Sequence, residues 1–356
     1  MGANFNISSN YILALNVKNN FFAELVELTP NKKNNGLQFC ILPYINGANQ
    51  KPILHFYSAI NTREINLNLI ARNNNEPILL KANTSKLQYI QKVNQLKQHI
   101  QQGNIYELNY CIEFFANNVE IDPLNIFIKL QQLTKAPYCK LVKLNNDFII
   151  SASPELFLKK EGNTLFTKPI KGTIKRGINA SEDEALKNKL FNSEKERTEN
   201  VMAVDVVRND LSIIAKKGTV AVNKLYTIES FETLHQMVST VSCQIKETTS
   251  FEDIINATFP MASMTGAPKI SAMKLINEFE NFERNYYSGA MGLIEENGNF
   301  ELSVNIRSIF YNQHTKRLSI AVGSAITHLC NAEKEYDECL LKANALLQAL
   351  NATIIE

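Results

Sequence analysis

The sequence predicts an α+β fold, in which long helices lie beside meanders of antiparallel strands. Residues 87–100 carry apolar side chains at helical spacing. Residues 286–296, 300–311 and 317–327 have the pattern of consecutive strands, and a polar turn at 297–299 joins the first two. Helices that stand apart from strand meanders in this way are typical of α+β proteins.

The other elements follow in chain order. Residues 1 to about 80 predict short strands broken by polar turns, such as the one at 31–36. We expect residues 1–84 to be a strand-rich part of one sandwich and residues 85–356 to carry the chemistry. Further predicted elements are a helix end at Gly103, strands at 105–116 and 148–158, one long helix at 182–210, and helices at 268–280 and 332–351.

Composition excludes several classes of function. A chain of 356 residues can bury a large core, and its net charge of +2 predicts no basic face for nucleic acid. No apolar stretch is long enough to suggest a membrane span. The N-terminus lacks the pattern of a signal peptide, and the six cysteines show no metal-binding spacing. Isolated thiols are typical of a reducing compartment, so we expect the protein to be cytoplasmic.

Lys171 is the most informative residue of the chain. It lies in the run Pro-Ile-Lys-Gly-Thr at 169–173, where proline and glycine predict a strand-to-turn junction that aims the amine into a cleft. Upstream, Glu155 follows the apolar run 148–150 and stands at a strand end. An amine beside a carboxylate is either a structural ion pair or a nucleophile with its general acid.

Two predicted helices each present a pair of carboxylates three residues apart, on one helix face. If these helices face each other, they offer an all-oxygen site for Mg²⁺. Each charged run is, taken alone, equally typical of a solvated helix face. The pairs are Glu196 with Glu199, and Glu335 with Glu338, the second followed by Lys342.

Other candidates are weaker individually. Residues 263–269 (Ser-Met-Thr-Gly-Ala-Pro-Lys) predict a helix entry with free N–H groups that bind an anion, or an ordinary helix cap. Arg307 and Tyr287 could clamp a carboxylate, and Gly323 begins a small-residue turn where backbone could approach a ligand. His235 is either a catalyst or a satisfied, half-buried histidine.

Taken in order, these segments resemble the chorismate-utilising enzymes. The resemblance covers the chain from about residue 85 to its C-terminus, and eight segments match in the order and spacing of the family. The matching segments are 103–109, 153–155, 169–173, 196–210, 265–269, 287–292, 305–307 and 333–342.

The resemblance implies a chorismate-binding α/β sandwich of antiparallel sheets and helices, of the anthranilate synthase component I type, around a deep cleft. It also implies chorismate as substrate and Mg²⁺ as cofactor, with an N-terminal part shorter than is usual in the family. By this resemblance, Glu199 and Glu338 are direct metal ligands, and Glu196 and Glu335 hold metal-bound water. The substrate is bound by Tyr287 and Arg307 at its enolpyruvyl carboxylate, by Gly323 and Lys342 at its ring carboxylate, and by Ser263 and Thr173 elsewhere. Glu155 is the general acid, and His235 is an active-site histidine.

Lys171 separates the branches of the family. The anthranilate synthase pattern here is Pro-Ile-Ala-Gly-Thr, with alanine in place of the lysine, so ammonia can reach C2 of chorismate. A lysine at this position is similar to the other amine-adding branch of the family. In that branch the lysine amine attacks C2, forms a covalent adduct and directs ammonia to C4. Glu107 stands where the water-adding isochorismate and salicylate synthases carry a lysine base, which argues against that branch.

The expected activity is a transaminase-class amination of chorismate to 4-amino-4-deoxychorismate, toward 4-aminobenzoate and folate. No cysteine has glycine at both flanking positions of the Gly-x-Cys-x-Gly pattern, so the resemblance implies that ammonia comes from a separate glutamine amidotransferase subunit. The alternatives are an anthranilate synthase component and, more remotely, a non-catalytic chorismate-binding subunit.

Overall fold

The strands and helices are described for most of the chain. A computed structural model describes residues 12–17, 22–30, 36–45, 50–66, 76–231 and 234–355. The polar turn predicted at 31–36 lies, except for its last residue, outside these ranges. The strands are β1 (Ile12–Val17), β2 (Phe22–Pro30), β3 (Gln38–Leu42), β4 (His55–Asn66), β5 (Ile78–Ala82), β6 (Glu107–Ala116), β7 (Tyr138–Leu144), β8 (Asp147–Ser153), β9 (Leu156–Glu161), β10 (Thr164–Thr167), β11 (Ile170–Lys175), β12 (Ala221–Ser230), β13 (Leu234–Gln244), β14 (Gly266–Ala267), β15 (Ala290–Ile294), β16 (Phe300–Val304), β17 (Ser308–Asn312), β18 (Arg317–Ile326) and β19 (Ala352–Ile355).

The helices lie mainly in the second and last thirds of the chain. A short 3₁₀ turn at Ala262–Met264 precedes β14. The helices are α1 (Lys86–Gln101), α2 (Pro123–Thr134), α3 (Ala180–Phe191), α4 (Glu194–Ser212), α5 (Phe251–Thr258), α6 (Lys269–Phe279) and α7 (Ala332–Leu350).

The strands join into one continuous hydrogen-bonded network. Its order is β19–β5–β6–β18–β17–β8–β7–β1–β2–β4–β3–β15–β16–β9–β10–β13–β12, with β11 beside β10 on the same edge of β13 and β14 on the start of β6. All of these pairs are antiparallel except β19 with β5.

Three buried clusters show how the network folds over. One cluster joins α1, α2 and α7 to β6, β8 and β18. A second joins α4 and α5 to β13, β15 and β16. These two clusters mark the two halves of the network. The third cluster lies between the halves and includes Val26, Phe39, Val142 and Met291. The halves therefore form a sandwich with helices on its outer faces, as the α+β prediction requires.

Local signals explain where the best-predicted elements begin and end. Ser85 and Gln88 form a capping box at the start of α1, whose buried face carries Tyr89, Val93 and Leu96. Gly103 follows the helix in the left-handed region, with φ of 78°. The predicted helices at 87–100, 268–280 and 332–351 are confirmed, as is the hairpin turn around Gly298.

Four predictions were wrong. The strand at 148–158 is two strands, β8 and β9, which Pro154 and Glu155 separate. The long helix at 182–210 is two helices, because the hydroxyl of Ser193 accepts a hydrogen bond from the backbone N–H of Glu196 and starts α4 anew. The strand at 300–311 is interrupted before β17, where Arg307 has φ of 52°. The turn predicted at Gly323 lies inside β18, which pairs with β6 from Leu318 to Ile326.

Two predictions from composition can be compared with the structure. All six cysteines are buried and free of disulfides. Among the described residues, no helix has the length and apolar character needed to cross a membrane.

Candidate active site

Lys171 is buried in β11, at a point where the pairing with β13 is irregular. The next residue, Gly172, has φ of 88°, which glycine adopts without steric cost. A Cβ atom on Gly172 would lie only 2.8 Å from Oε2 of Glu196. The glycine therefore lets α4 approach the strand and brings its carboxylates near the lysine.

The ammonium of Lys171 pairs directly with Oε1 of Glu107, at the start of β6. Both side chains are more than nine-tenths buried. Burial alone would lower the pKa of Lys171, but Glu107, Glu199 and Glu155 raise it above the ordinary value. Lys171 is therefore a protonated amine in the resting protein, and Glu107, not Glu155, is its ion-pair partner.

Glu155 lies between β8 and β9, at the strand end that the sequence predicted. Its Oε1 accepts a hydrogen bond of 2.6 Å from the hydroxyl of Ser263, in the 3₁₀ turn. Burial raises the pKa of Glu155 to about 7, although Ser263, Lys171 and Lys342 favour the charged form. A carboxyl group that is half protonated near neutrality is suited to act as a general acid.

The carboxylates of α4 and α7 face each other across the ammonium of Lys195. Its Nζ lies 2.9 Å from Glu335, 3.8 Å from Glu199 and 3.9 Å from Glu338. Glu338 also pairs with Lys342 at 2.7 Å. The predicted juxtaposition of the two helices is therefore present, with a lysine between them that the sequence reasoning did not include.

Electrostatics differ among these four carboxylates. Burial raises the pKa of Glu199 to about 8, and it also raises the pKa of Glu196 and of Glu335. Burial opposes ionisation of Glu338 as well, but Lys342 and Lys195 outweigh it and hold the pKa of this residue below its usual value. Three of the four carboxylates thus lack enough neighbouring positive charge to offset their burial.

The cluster fits an oxygen-preferring cation in chemistry, though its side chains are not arranged as a finished coordination shell. Among the described residues, no three acidic, histidine or cysteine side chains are grouped as metal ligands. However, Oε1 of Glu199 and Oε2 of Glu335 are buried and have no hydrogen-bond partner in the described part of the chain. Buried carboxylate oxygens of this kind need a counter-charge, which Mg²⁺ with its water shell can provide.

Some of the predicted substrate-binding residues gather beside Lys342. Its Nζ donates a 2.8 Å hydrogen bond to the carbonyl oxygen of Gly323. The guanidinium of Arg307 donates a 3.3 Å hydrogen bond to the backbone carbonyl of Lys342. Burial lowers the pKa of Arg307, while Tyr287 and Glu338 oppose this effect. Two cations and one buried phenol therefore lie where anionic groups of a ligand could be held.

His235 and Thr173 lie apart from this arrangement. His235 is fully buried, and its two ring nitrogens contact the Ser230 hydroxyl at 2.8 Å and the Asp183 carboxylate at 2.9 Å. Thr173 is exposed on β11, two residues after Lys171. The contacts of His235 are those of a satisfied core histidine, the structural alternative considered for it above.

Comparisons with known proteins identify the family. A family model described as chorismate binding enzyme matches residues 44–348. The chain belongs to this family. The match begins after β3 and ends within α7, so it covers the strands from β4 to β18 and the helices from α1 to nearly the end of α7.

Relatives of this chain carry two kinds of name. It is 39% identical over 75% of its length to "Aminodeoxychorismate synthase, chloroplastic" of Arabidopsis thaliana. It is 35% identical over 76% of its length to aminodeoxychorismate synthase component 1 of Escherichia coli. It is 36% identical over 76% of its length to anthranilate synthase component 1 of Acetivibrio thermocellus. The matched segment spans 29%, 59% and 54% of these three proteins, respectively.

Solved structures share the fold at low sequence identity. Anthranilate synthase component I from Streptococcus pneumoniae superposes with a TM-score of 0.75, at 21% identity, over 97% of this chain and 94% of that one. The menaquinone-specific isochorismate synthase MenF from Escherichia coli superposes with a TM-score of 0.78, at 15% identity, over 97% and 90%. The predicted α/β sandwich of the anthranilate synthase component I type is therefore confirmed.

Two residues of the site were missed from the sequence. Glu107 was interpreted only as a missing lysine base, although it pairs with Lys171. Lys195 was not among the predicted site residues, although it bridges α4 and α7. Neither partnership has a sequence signal, because Glu107 is 64 residues from Lys171 and Lys195 is 140 residues from Glu335.

Proposed function

We propose that this protein aminates chorismate at C4 to give 4-amino-4-deoxychorismate, on the route to 4-aminobenzoate and folate. The observation that carries the proposal is a buried amine, Lys171, in the same cleft as an acid with a raised pKa, Glu155. The names of the plant and Escherichia coli relatives support the same reaction.

The two side chains divide the chemistry. The amine of Lys171 attacks C2 of the ring, the two ring double bonds each shift by one position, and the C4–O bond breaks. Glu155 gives its proton to the departing hydroxyl, which leaves as water. Ammonia then attacks C4, the double bonds shift back, and the amine of Lys171 leaves C2. A covalent adduct thus replaces one difficult substitution by two displacements and blocks C2 against ammonia.

The remaining residues bind and orient the substrate. Arg307 and Tyr287 are placed to receive the enolpyruvyl carboxylate, and Lys342 beside Gly323 is placed for the ring carboxylate. Glu199 and Glu338 would hold Mg²⁺ directly, and Glu196 and Glu335 would hold its waters. When bound, Mg²⁺ supplies the positive charge that a dianionic substrate needs beside a cluster of carboxylates.

Ammonia is proposed to come from a separate glutamine amidotransferase subunit. The sequence has no Gly-x-Cys-x-Gly segment, and all six cysteines are buried, whereas a nucleophilic thiol must be accessible. The amination is therefore glutamine-dependent only with the partner, and free ammonia supports it without the partner.

The second candidate function is that of an anthranilate synthase component, which aminates C2. The relative from Acetivibrio thermocellus bears that name at similar identity. Lys171 argues against it, because a buried amine aimed at C2 occupies the approach that ammonia needs.

The product of the purified chain distinguishes these functions. Chorismate, MgCl₂ and an ammonium salt at raised pH should yield 4-amino-4-deoxychorismate, identified by liquid chromatography and mass spectrometry. Glutamine in place of ammonium should yield no product. Anthranilate as the main product, or turnover with glutamine alone, would overturn the proposal.

A further inference from the structure

The ion pair between Lys171 and Glu107 raises a chemical problem. An ammonium group has no lone pair, so Lys171 must lose a proton before its nitrogen can attack carbon. The pair is buried, with side chains only 8% and 4% exposed, so water is a poor acceptor for that proton. A base inside the cleft has to receive it.

Five carboxylates interact with the charge of Lys171: Glu107, Glu155 and Glu199 most strongly, and Glu196 of α4 and Glu338 of α7 as well. Glu155 comes from the loop between β8 and β9, Glu199 from α4 and Glu107 from β6. Lys342 lies near Glu155, and Lys195 lies near Glu199. These are the charged groups that set the protonation of the amine.

Only one of the five is free to act as the base. Glu155 must carry a proton at this stage in order to give it to the departing hydroxyl, and its Oε1 is held by Ser263. Glu199, Glu196 and Glu338 belong to the carboxylate cluster of the cation site. Glu107 has an oxygen in direct contact with Nζ of Lys171.

We propose that Glu107 is the base that accepts the proton from Lys171 and so makes its amine nucleophilic. The inference rests on the proposed covalent role of Lys171. The proton moves from Nζ to Oε1 of Glu107, and the lone pair on Nζ forms the bond to C2. The electrons of the broken C4–O bond leave with oxygen, which takes the proton of Glu155 and departs as water.

After this step the charges balance. The Lys171 nitrogen is a secondary ammonium bound to C2, Glu107 is a neutral acid and Glu155 is a carboxylate. When ammonia adds to C4 and the C2–N bond breaks, the amine leaves with its electron pair and regains the proton of Glu107. The excess proton on the new C4 amine passes to Glu155, and the resting ion pair and acid are restored.

The backbone fixes Glu107 for this task. Its residue begins β6, and it pairs with Ala267 of the short strand β14. The neighbouring Gly266 packs so closely that a Cβ atom would lie 2.1 Å from the carbonyl oxygen of Glu107. The base therefore stands on a strand junction that cannot shift without disturbing the 265–268 segment.

The test measures adduct formation rather than overall turnover. Wild type and Glu107→Gln are mixed with chorismate and MgCl₂ without ammonia, quenched in acid, and the peptide containing Lys171 is weighed. We expect the adduct to form at least 100-fold more slowly in Glu107→Gln near pH 7. The ratio of the two rates should fall about tenfold per pH unit as hydroxide replaces the missing base. Glu155 affects both proteins alike, so the ratio isolates Glu107.

Two further variants serve as references. Glu113→Gln changes another glutamate of β6, which pairs with Arg317 at 3.0 Å, and should form the adduct at the wild-type rate. Glu107→Asp keeps a carboxylate and should keep the wild-type shape of the pH profile at a reduced rate. This second variant also provides the measurement if Glu107→Gln does not fold.

The outcomes separate the inference from the proposed function. A wild type that forms product but never shows an adduct on Lys171 overturns the covalent mechanism and this inference together. A wild-type adduct that Glu107→Gln forms equally fast, faster, or with an unchanged pH profile overturns only the role of Glu107. It would then be an ion-pair partner that holds the amine in its protonated form.

Discussion

The acid corner, Glu155 with Ser263, and the carboxylate cluster of α4 and α7 both bury carboxyl groups. They differ in whether the buried oxygens have hydrogen-bond partners. In the acid corner the carboxyl oxygen has a hydroxyl partner at 2.6 Å, supplied by a turn of fixed geometry. In the cluster, two buried carboxylate oxygens lack any hydrogen bond within the described residues. The chain itself therefore supplies the partner of the carboxyl oxygen in the acid corner, whereas a bound cation could supply the missing partner in the cluster.

The difference follows from what each region has to do. A general acid must change its protonation during the reaction, so its surroundings should balance the charged and neutral forms. A cation site must carry negative charge once the cation is bound, although burial raises the pKa of Glu199, Glu196 and Glu335 and favours their neutral forms until then. Lys195 offsets that charge only in part, because its side chain is 42% exposed and contacts three carboxylates at once.

The largest effect is expected at the amine that lies between the two regions. Lys171→Ala should lower formation of 4-amino-4-deoxychorismate roughly a thousandfold, because losing a covalent nucleophile costs several kcal/mol of barrier and about 1.4 kcal/mol is a factor of ten. Residual product should shift toward anthranilate, since C2 is then open and Glu155 can still help the C4 hydroxyl leave. Chromatography of the products with chorismate and ammonium measures both. An alanine variant that makes the original product at the wild-type rate would contradict the covalent role.

The cation site should be the next most sensitive region. Glu338→Gln and Glu199→Gln should each reduce activity by roughly a hundredfold or more at ordinary Mg²⁺, because each removes one of few anionic ligands. Circular dichroism should show an intact fold. Glu194→Gln on α4 and Glu333→Gln on α7 are matched controls on exposed positions of the same helices, and neither should change activity. Full turnover by the first two variants would remove the basis for the metal assignment.

The acid corner can be altered without removing the acid. Ser263→Ala deletes the hydroxyl that favours the ionised form of Glu155, so the pKa of this carboxyl should rise above about 7. A hydrogen bond to a charged group contributes about 1.5–3 kcal/mol, which corresponds to a shift of roughly one pH unit or more. The protonated acid then persists to higher pH, so the basic limb of the plot of kcat/KM against pH should move to higher pH. Ser263→Thr keeps the hydroxyl and should leave that limb in place; an unmoved limb in the alanine variant would count against Glu155 as the acid.

Sequence patterns predicted those parts of the molecule that depend on local order. The helical periodicity of α1, the pairs of glutamates three residues apart and the strand end before Glu155 are all set by neighbours along the chain. Helix periodicity alone could not place the break before α4, because residues 182–210 contain no proline or glycine. There the side chain of Ser193 caps the start of α4, and a cap competes with helix continuation on a free-energy difference of only about 1 kcal/mol.

Partnerships across the fold were the part that the sequence could not provide. The order of motifs predicted which residues share a cleft, but not which charges pair within it. Lys171 was expected to face Glu155, and its direct partner is Glu107 on β6. His235 was carried over as an active-site residue, and both of its nitrogens are engaged by Ser230 and Asp183. Such pairings depend on strand register and on side-chain direction, which only the assembled sandwich determines.

The smallest effect should come from Lys195, and it sharpens the contrast between the two regions most directly. Lys195→Met keeps the aliphatic stem but removes the ammonium shared by Glu199, Glu335 and Glu338. Without metal, the free energy of unfolding should fall by about 1 kcal/mol, a modest value because the lysine is partly exposed and surface ion pairs contribute little. With saturating Mg²⁺ the loss should shrink, since the cation supplies the same carboxylates with charge. Denaturant unfolding in EDTA and in Mg²⁺ measures the difference, and Lys187→Met, which removes an exposed pair with Glu184 on α3, should show equal losses in both. If Lys195→Met were equally costly with and without Mg²⁺, the lysine and the cation would not share these carboxylates, and the cluster would be a structural ion network like those elsewhere on the surface.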